Sequence, residues 1–228
     1  MTSEPLRRCL LLAGGWNHAN NYPRYNRDLL WWSEGLVGAG FECWACLGEG
    51  AVKGHKSLPI KFTSAQLGDV SAALGWLSEV GDGDLGILVV SNHGVSSGIR
   101  LWHPDILTPD RLALAIDPAK GNMVLIMGQC CGGIFGKLAG PKSVVVSACA
   151  GSESSHSSPD GKYDEFLYQL GTALFGAPAD APQSGPGQKL SLFQAFDWAR
   201  VRDRWKSPPL QETPTIFDPA GLAKKLFI

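Results

Sequence analysis

Residues 85–94 read Leu-Gly-Ile-Leu-Val-Val-Ser-Asn-His-Gly, and residues 123–133 read Met-Val-Leu-Ile-Met-Gly-Gln-Cys-Cys-Gly-Gly. Each stretch begins with a short, nearly continuous apolar run, Leu85–Ser91 in the first and Met123–Met127 in the second, which is typical of a strand buried on both faces of a parallel sheet. Each run is followed by residues that carry chemistry, a histidine after the first and two cysteines after the second. Because open parallel sheets bind ligands at the carboxyl ends of their strands, these two ends predict a functional site.

Runs of the same kind stand on both sides of these two stretches. They predict further strands at residues 6–13, 41–47, 143–148 and, as an edge strand, 215–217. Between the strands, apolar residues return every three or four positions, which predicts helices over residues 23–37, 64–80, 109–116, 163–174 and 190–205. Thr63 or Ser64, and Thr108, stand where helix N-caps are expected. This alternation predicts one α/β domain over residues 1–228, with a mostly parallel sheet of about six strands and helices on both faces.

The composition describes a globular chain and excludes several classes of partner. Of 228 residues, 44% are hydrophobic and 18% charged, with 20 basic residues against 21 acidic ones. That balance provides no basic surface for nucleic acid, and no apolar stretch reaches the ~18 residues of a membrane span. The six cysteines lie within or beside apolar runs, a poor layout for a disulfide framework, so we expect reduced thiols in a cytoplasmic protein.

The two strand ends predict nucleophilic catalysis by a cysteine. A thiolate is the reactive form of cysteine, and a neighbouring imidazole such as His93 generates or stabilises it. A helix expected over residues 132–138 would begin just after Cys131, and a helix N-terminus lowers the pKa of a thiol. The N–H groups of Gly94 and Cys131 are expected to face an oxyanion. Together these features indicate acyl transfer.

Short blocks of the sequence carry a resemblance to a known family. They are residues 10–15 with 21–24, 89–102, 124–133, 144–155, 191–196 and 212–214. In order along the chain, they resemble the caspase-like cysteine peptidases, most closely the legumain-type and related bacterial branches. The block at 124–133 is similar to Gln-Ala-Cys-x-Gly of caspases and Glu-Ala-Cys-x-Ser-Gly of legumains. The resemblance implies a three-layer caspase-like fold and an endopeptidase that forms a thioester with protein or peptide substrates, without cofactor or metal.

The resemblance also implies roles for individual residues. Cys131 falls on the nucleophile, His93 on the general base or acid, and Gly94 on an oxyanion-hole amide. Cys130 falls on the alanine of the family motifs, and it is the rival nucleophile because the two cysteines are adjacent. The asparagine that orients the histidine in legumains corresponds to one of three neighbours, Asn21 or its rivals Asn17 and Asn20.

The same resemblance suggests which substrate residue precedes the cut. Caspases hold an aspartate with an arginine and the motif glutamine, and here these are Arg24 and Gln129, with a substrate-lining loop at Ser154 and Ser155. A guanidinium offers two parallel hydrogen bonds to a carboxylate. We therefore expect an acidic residue, aspartate before glutamate, with asparagine second. An inward-pointing carboxylate would neutralise Arg24 and favour asparagine or a basic residue; the candidates are Glu153, Asp160 and Asp164.

Several alternatives remain open from the sequence. The domain could be a catalytically inactive caspase-like module that binds a regulatory protein partner. Residues 94–98 match the nucleophile elbow of serine hydrolases, with Ser96 as nucleophile. Cys43 and Cys46 have zinc-like spacing, but they lie in a strand run without a second ligand pair, so buried thiols are expected. Residues 176–188 predict an exposed loop, and residues 177–182 within it could be cut during activation.

Overall fold

The computed structural model describes residues 4–50, 59–179 and 185–228. In chain order, its strands are β1 Arg7–Gly14, β2 Glu42–Leu47, β3 Ile60–Thr63, β4 Leu85–Asn92, β5 Gly94–Val95, β6 Gly98–Arg100, β7 Ile106–Leu107, β8 Asn122–Met127, β9 Ser143–Ser147 and β10 Thr215–Phe217. The α-helices are α1 Pro23–Gly38, α2 Leu67–Leu77, α3 Pro109–Ile116, α4 Glu165–Phe175 and α5 Leu192–Arg202. The segment Gly132–Leu138 forms a 3₁₀ helix.

Seven strands form the main sheet, in the order β10-β9-β8-β4-β1-β2-β3. All neighbouring pairs are parallel except β10 with β9. The predicted α/β fold is confirmed, but the expected count of about six strands is one too low. The missed strand is β3, which lies at the edge of the sheet, is only half-buried and contains Lys61, so it has no continuous apolar run.

Helices cover both faces of this sheet, as predicted. Helices α1, α4 and α5 pack together on one face, and α2, α3 and the 3₁₀ helix pack on the other. Each face has its own core of buried apolar side chains, because alternate residues of the central strands point to opposite faces. Strands β5, β6 and β7 form a separate three-stranded antiparallel sheet directly after β4.

Local predictions have mixed outcomes. The Thr108 hydroxyl caps α3 by accepting a hydrogen bond from the Arg111 N–H at 3.2 Å, as expected. The prediction of Thr63 or Ser64 as a cap is wrong, because α2 begins only after Gln66 and the Ser64 hydroxyl binds the Asp69 carboxylate instead. All six cysteines are free.

Other expectations concern the loop and the membrane. Residues 180–184 of the expected loop, and with them half of its proposed cleavage stretch, lie outside the described residues. Across the described ranges, the helices are too short or too polar to span a bilayer. The same ranges contain no cluster of three or more His, Cys, Asp or Glu side chains that could hold a metal ion.

Candidate active site

The ends of β4 and β8 lie side by side at the carboxyl edge of the sheet. Val90 pairs with Met127, so the chain segments three residues beyond them emerge together. Gly94 then passes directly over the Cys130 peptide, where a Cβ added to Gly94 would lie only 1.8 Å from the Cys130 carbonyl oxygen. The structure therefore brings the His-Gly segment and the cysteine pair together, and only glycine fits at position 94.

The His93 imidazole is held by a main-chain carbonyl. Its Nε2 lies 3.0 Å from the Asn20 carbonyl oxygen, which can only accept a hydrogen bond. Nε2 must therefore carry the ring proton, and the lone pair of the neutral imidazole lies on Nδ1. Burial lowers the pKa of His93, with Arg24 adding to the effect against the Asn20 hydrogen bond. The result is a neutral imidazole with a nitrogen ready to accept a proton.

Three aromatic rings that no sequence motif marks enclose this imidazole. The rings of Trp16, Tyr22 and Tyr25 meet the His93 ring edge-on, at centroid distances of 4.7, 5.3 and 5.3 Å. All three follow β1 in the segment that leads into α1 and its first turn. Aromatic edge-to-face contacts of this kind fix the orientation of a ring.

Three asparagines were candidates for orienting the His93 ring. Of these, Asn20 contacts the ring, through its main-chain carbonyl. Asn17 supports it indirectly, because its side chain caps the short turn over residues 18–20 by accepting the Asn20 N–H at 3.1 Å. Asn21, which the resemblance put first, instead accepts the Gly15 N–H through its side chain at 3.2 Å. An asparagine side chain was expected to orient the histidine, whereas a carbonyl oxygen does so.

The two adjacent cysteines have different surroundings, although both are half-buried. The Cys130 sulfur accepts the Ser155 N–H at 3.3 Å and lies within electrostatic range of the Arg24 guanidinium. Cys131 has a left-handed backbone (φ 57°, ψ 19°), and its N–H donates to the Glu153 carbonyl oxygen at 2.8 Å. Burial and the neighbouring Cys130 raise the pKa of Cys131. The amide expected from the sequence to face an oxyanion is therefore already engaged.

Beside Cys130 lies a cavity of about 430 Å³, which we call the arginine pocket. One wall is the start of α1 and the other is the loop after β9; the lining residues are Tyr22, Pro23, Arg24, Arg27, Ser155, His156, Ser157, Asp160, Gly161 and Lys162. The Arg24 side chain is only 15% exposed, and its Nη1 lies 3.6 Å from the Asp164 Oδ2. The Ser155 hydroxyl donates to the same Asp164 oxygen at 2.8 Å.

A second carboxyl group stands behind this ion pair. Asp28 accepts the Ser91 hydroxyl at 2.6 Å and the Asp164 N–H at 3.2 Å. Burial and Asp164 raise the pKa of Asp28 to about 8, and burial raises the pKa of Asp164 to about 6 although Arg24 opposes it. Burial works to lower the pKa of Arg24, but the nearby carboxylates outweigh it and the pKa is raised. Near neutral pH, one cation therefore faces about one anion here.

The expected partnership of Arg24 with Gln129 is not formed. Gln129 is 1% exposed; its Cγ lies beneath Gly94 and its Nε2 is 3.7 Å from the Met127 sulfur. Asp164, one of the three carboxylates weighed from the sequence, pairs with Arg24 instead. Of the two predicted loop serines, Ser155 lines the arginine pocket and Ser154 is exposed.

The serine-nucleophile alternative lacks its structural context. Ser96 is exposed in the two-residue turn between β5 and β6. A nucleophile elbow needs a strand, a sharp turn and then a helix, whereas this turn joins two antiparallel strands. Cys43 and Cys46, considered for zinc, are buried in β2.

Comparison with known proteins supports the fold. No protein-family model and no curated protein sequence matches the chain. Among solved structures, it is similar to the crystal structure of caspase-1 from Spodoptera frugiperda, with a TM-score of 0.58 over 94% of this chain and 86% of that chain, at 11% sequence identity. The legumain-type or bacterial branch suggested by the sequence stays a prediction. Likeness at this identity concerns architecture, and the chain has a caspase-like α/β fold.

Proposed function

We propose that this chain is a cysteine endopeptidase that cleaves protein or peptide substrates through a thioester. The observation that carries the proposal is the meeting of His93-Gly94 with the cysteine pair at one edge of the sheet, beside the arginine pocket. A neutral imidazole next to a half-buried thiol is the arrangement that generates a thiolate. The caspase-like fold supports the same chemistry.

The contacts favour Cys130 as the nucleophile over Cys131, which the sequence motif favours. The Cys130 sulfur faces Ser155 at the arginine pocket, where a substrate residue would sit. Within the described ranges, the Cys130 N–H has no hydrogen-bond acceptor, whereas the Cys131 N–H is bound by Glu153. An unengaged amide at the nucleophile is what an oxyanion needs.

The second oxyanion donor in this proposal is Gly94. The Arg100 N–H donates to the His93 carbonyl, so His93 and Arg100 form the hydrogen-bonded pair between β5 and β6. In an antiparallel ladder the next residue points its N–H the other way. The Gly94 N–H is therefore directed away from β6 and is available to a substrate.

The reaction follows from these positions. His93 Nδ1 takes the thiol proton of Cys130, and the thiolate adds to the substrate carbonyl carbon. The oxyanion accepts hydrogen bonds from the N–H groups of Gly94 and Cys130. The C–N bond then breaks, and His93 returns its proton to the leaving amine. Water activated by His93 hydrolyses the thioester and regenerates the thiol.

Matched substitutions of the two cysteines test the proposal. We expect Cys130→Ala to abolish cleavage of a peptide library and Cys131→Ala to keep most of it. His93→Ala should lose about 10² to 10⁴ in rate while the protein stays folded. If Cys131→Ala is the inactive variant, Cys131 is the nucleophile, as the sequence motif predicts, and the assignment to Cys130 is wrong. If neither cysteine variant loses activity, the thioester mechanism is wrong, and if the wild type cleaves nothing, a partner-binding role replaces it.

The arginine pocket is proposed to receive the residue before the cut. The acidic preference expected from the sequence assumed an unpaired Arg24, but Asp164 neutralises part of its charge. A neutral amide can accept from the guanidinium and donate to the carboxylate or to Ser155. We therefore place asparagine first at neutral pH and aspartate second. Cleavage mapping by mass spectrometry checks the order, and a preference for arginine or lysine would contradict it.

A further inference from the structure

The wall of the arginine pocket that lies opposite Arg24 is supported, on the side away from the cavity, by side chains of the segment after α5. Residues 155–157 form that wall, and the segment after α5 packs against them. Trp205 donates its indole N–H to the Ser157 carbonyl at 2.9 Å, and Glu212 accepts the His156 N–H through its carboxyl. The Trp205 ring also lies 5.7 Å from the His156 ring. The two hydrogen bonds hold main-chain groups of the wall, the His156 N–H and the Ser157 carbonyl.

The supporting residues are tied to one another as well as to the wall. Asp203 accepts the Trp205 N–H at 2.8 Å, and the Glu212 N–H donates to the Trp205 carbonyl at 2.6 Å. Asp203 and Glu212 are 2% and 4% exposed, so both are shielded from water. We call Asp203, Trp205 and Glu212 the brace.

The brace contains two carboxyl groups that contact each other. Each has one buried oxygen without a partner, Oδ2 of Asp203 and Oε2 of Glu212. Two carboxylates cannot bond to each other, but one proton between them would satisfy both unpartnered oxygens. Burial, Asp164 and Asp203 raise the pKa of Glu212, and burial raises that of Asp203, which agrees with a retained proton. The pair therefore holds together as a neutral acid and a carboxylate.

From this geometry we propose that Glu212 is a positioning residue for substrate binding, acting with Asp203 and Trp205 to hold residues 155–157 against the substrate. The proposal rests on the proposed peptidase function, because it assigns that wall to the substrate pocket. Ser155 links the brace to the chemistry: its N–H binds the Cys130 sulfur and its hydroxyl binds Asp164. A shift of the wall would move both the pocket and the nucleophile's neighbour.

The test compares KM and kcat of four variants on the preferred peptide. Glu212→Ala should raise KM about tenfold, with kcat changed less than about threefold, because substrate placement is lost more than bond making. Trp205→Phe, which keeps the ring but loses the bond to Ser157, should raise KM about threefold. Glu212→Gln should restore KM to within twofold of the wild type, because an amide replaces a protonated carboxyl. Leu74→Ala, a core truncation on the other face of the sheet, should lose stability but keep its KM.

Two further measurements, amide hydrogen exchange and cysteine alkylation, test the brace without requiring peptide cleavage. Amide exchange of residues 155–158, and the rate of Cys130 alkylation by iodoacetamide, should both increase in Glu212→Ala and Trp205→Phe but not in Leu74→Ala. A folded Glu212→Ala protein with unchanged KM and unchanged exchange overturns the brace, and so does an equal KM increase in Leu74→Ala. If the wild type cleaves no peptide, the proposed function fails, while exchange and alkylation still decide whether the brace holds the wall.

Discussion

Two groups of buried carboxyl groups flank the loop after β9, and they solve the same electrostatic problem differently. The first, which we call the front group, consists of Arg24, Asp164 and Asp28: Asp164 pairs with the Arg24 guanidinium, and Asp28 accepts the Asp164 N–H. The second, which we call the rear group, consists of Asp203 and Glu212, which share a proton. Lys206 and His156 exert only a weaker electrostatic attraction on Asp203. Burying a carboxylate is costly unless it is paired or neutralised. Under the proposed function, the front group keeps charge beside the substrate residue, and the rear group removes charge where the brace needs only rigidity.

The largest expected effect comes from removing the cation of the front group. Arg24→Met should lower the free energy of unfolding by about 3–5 kcal/mol at neutral pH, because it leaves the Asp164 carboxylate buried without its partner. Arg27→Met is the matched control, since Arg27 is exposed on the same helix and its loss should cost less than about 0.5 kcal/mol. Urea denaturation measures both. A loss under about 1 kcal/mol in Arg24→Met would mean that protonation alone neutralises the front group.

The sequence predicts the two groups unequally. Arg24 stands at a loop end that a family resemblance covers, and Asp164 was one of three carboxylates that could meet it. The proton-sharing pair has no such charge partner in the sequence: Asp203 stands at the end of a predicted helix and Glu212 in a block of the family resemblance, and neither position indicates a buried carboxyl group. Their burial depends on how the chain after α5 returns to the loop after β9, which no local pattern encodes.

In the fold and in the site, too, some features could be predicted from the sequence and others could not. Buried strands were predicted to within about one residue, because their apolar runs dictate them. The approach of His93 to the cysteine pair followed from adjacent strand ends. The carbonyl of Asn20 was beyond prediction, since every residue has one. Which cysteine is the nucleophile stays a proposal; the contact that favours Cys130, its sulfur beside the Ser155 N–H, is not contained in a motif that both adjacent cysteines fit.

The second prediction concerns how the front group changes selectivity with pH. Below about pH 6 the Asp164 carboxylate takes up a proton, so Arg24 loses its partner and the pocket becomes positive. The ratio of kcat/KM for an aspartate peptide over its asparagine counterpart should therefore rise about tenfold between pH 7.5 and pH 5, as far as the substrate aspartate stays ionised. Because the substrate pair shares one enzyme, changes in His93 or the nucleophile cancel in the ratio. A ratio that stays flat would show that Arg24 does not contact the residue before the cut.

The smallest effect is expected deeper in the front group, at Asp28. Its raised pKa of about 8 makes it largely neutral at pH 7, so Asp28→Asn should cost less than about 1 kcal/mol, because an amide can accept from the Asp164 N–H and donate to the Ser91 hydroxyl. The sign of the pH dependence follows from the same shift. Between its unfolded pKa near 4 and its folded pKa near 8, Asp28 binds more protons in the folded state, so the stability that it contributes is fully present at low pH and is lost as pH rises.

Asp28→Asn should remove that loss, so the variant should reach the stability of the wild type between about pH 7 and pH 8 and exceed it near pH 9. Urea denaturation of both proteins across this range checks the crossing. Glu212, with a pKa raised to about 11, should still lower the stability of both proteins above pH 8. A wild-type curve parallel to that of Asp28→Asn from pH 5 to pH 9 would place a charge on Asp28 throughout, and the front group would then hold two anions against one cation.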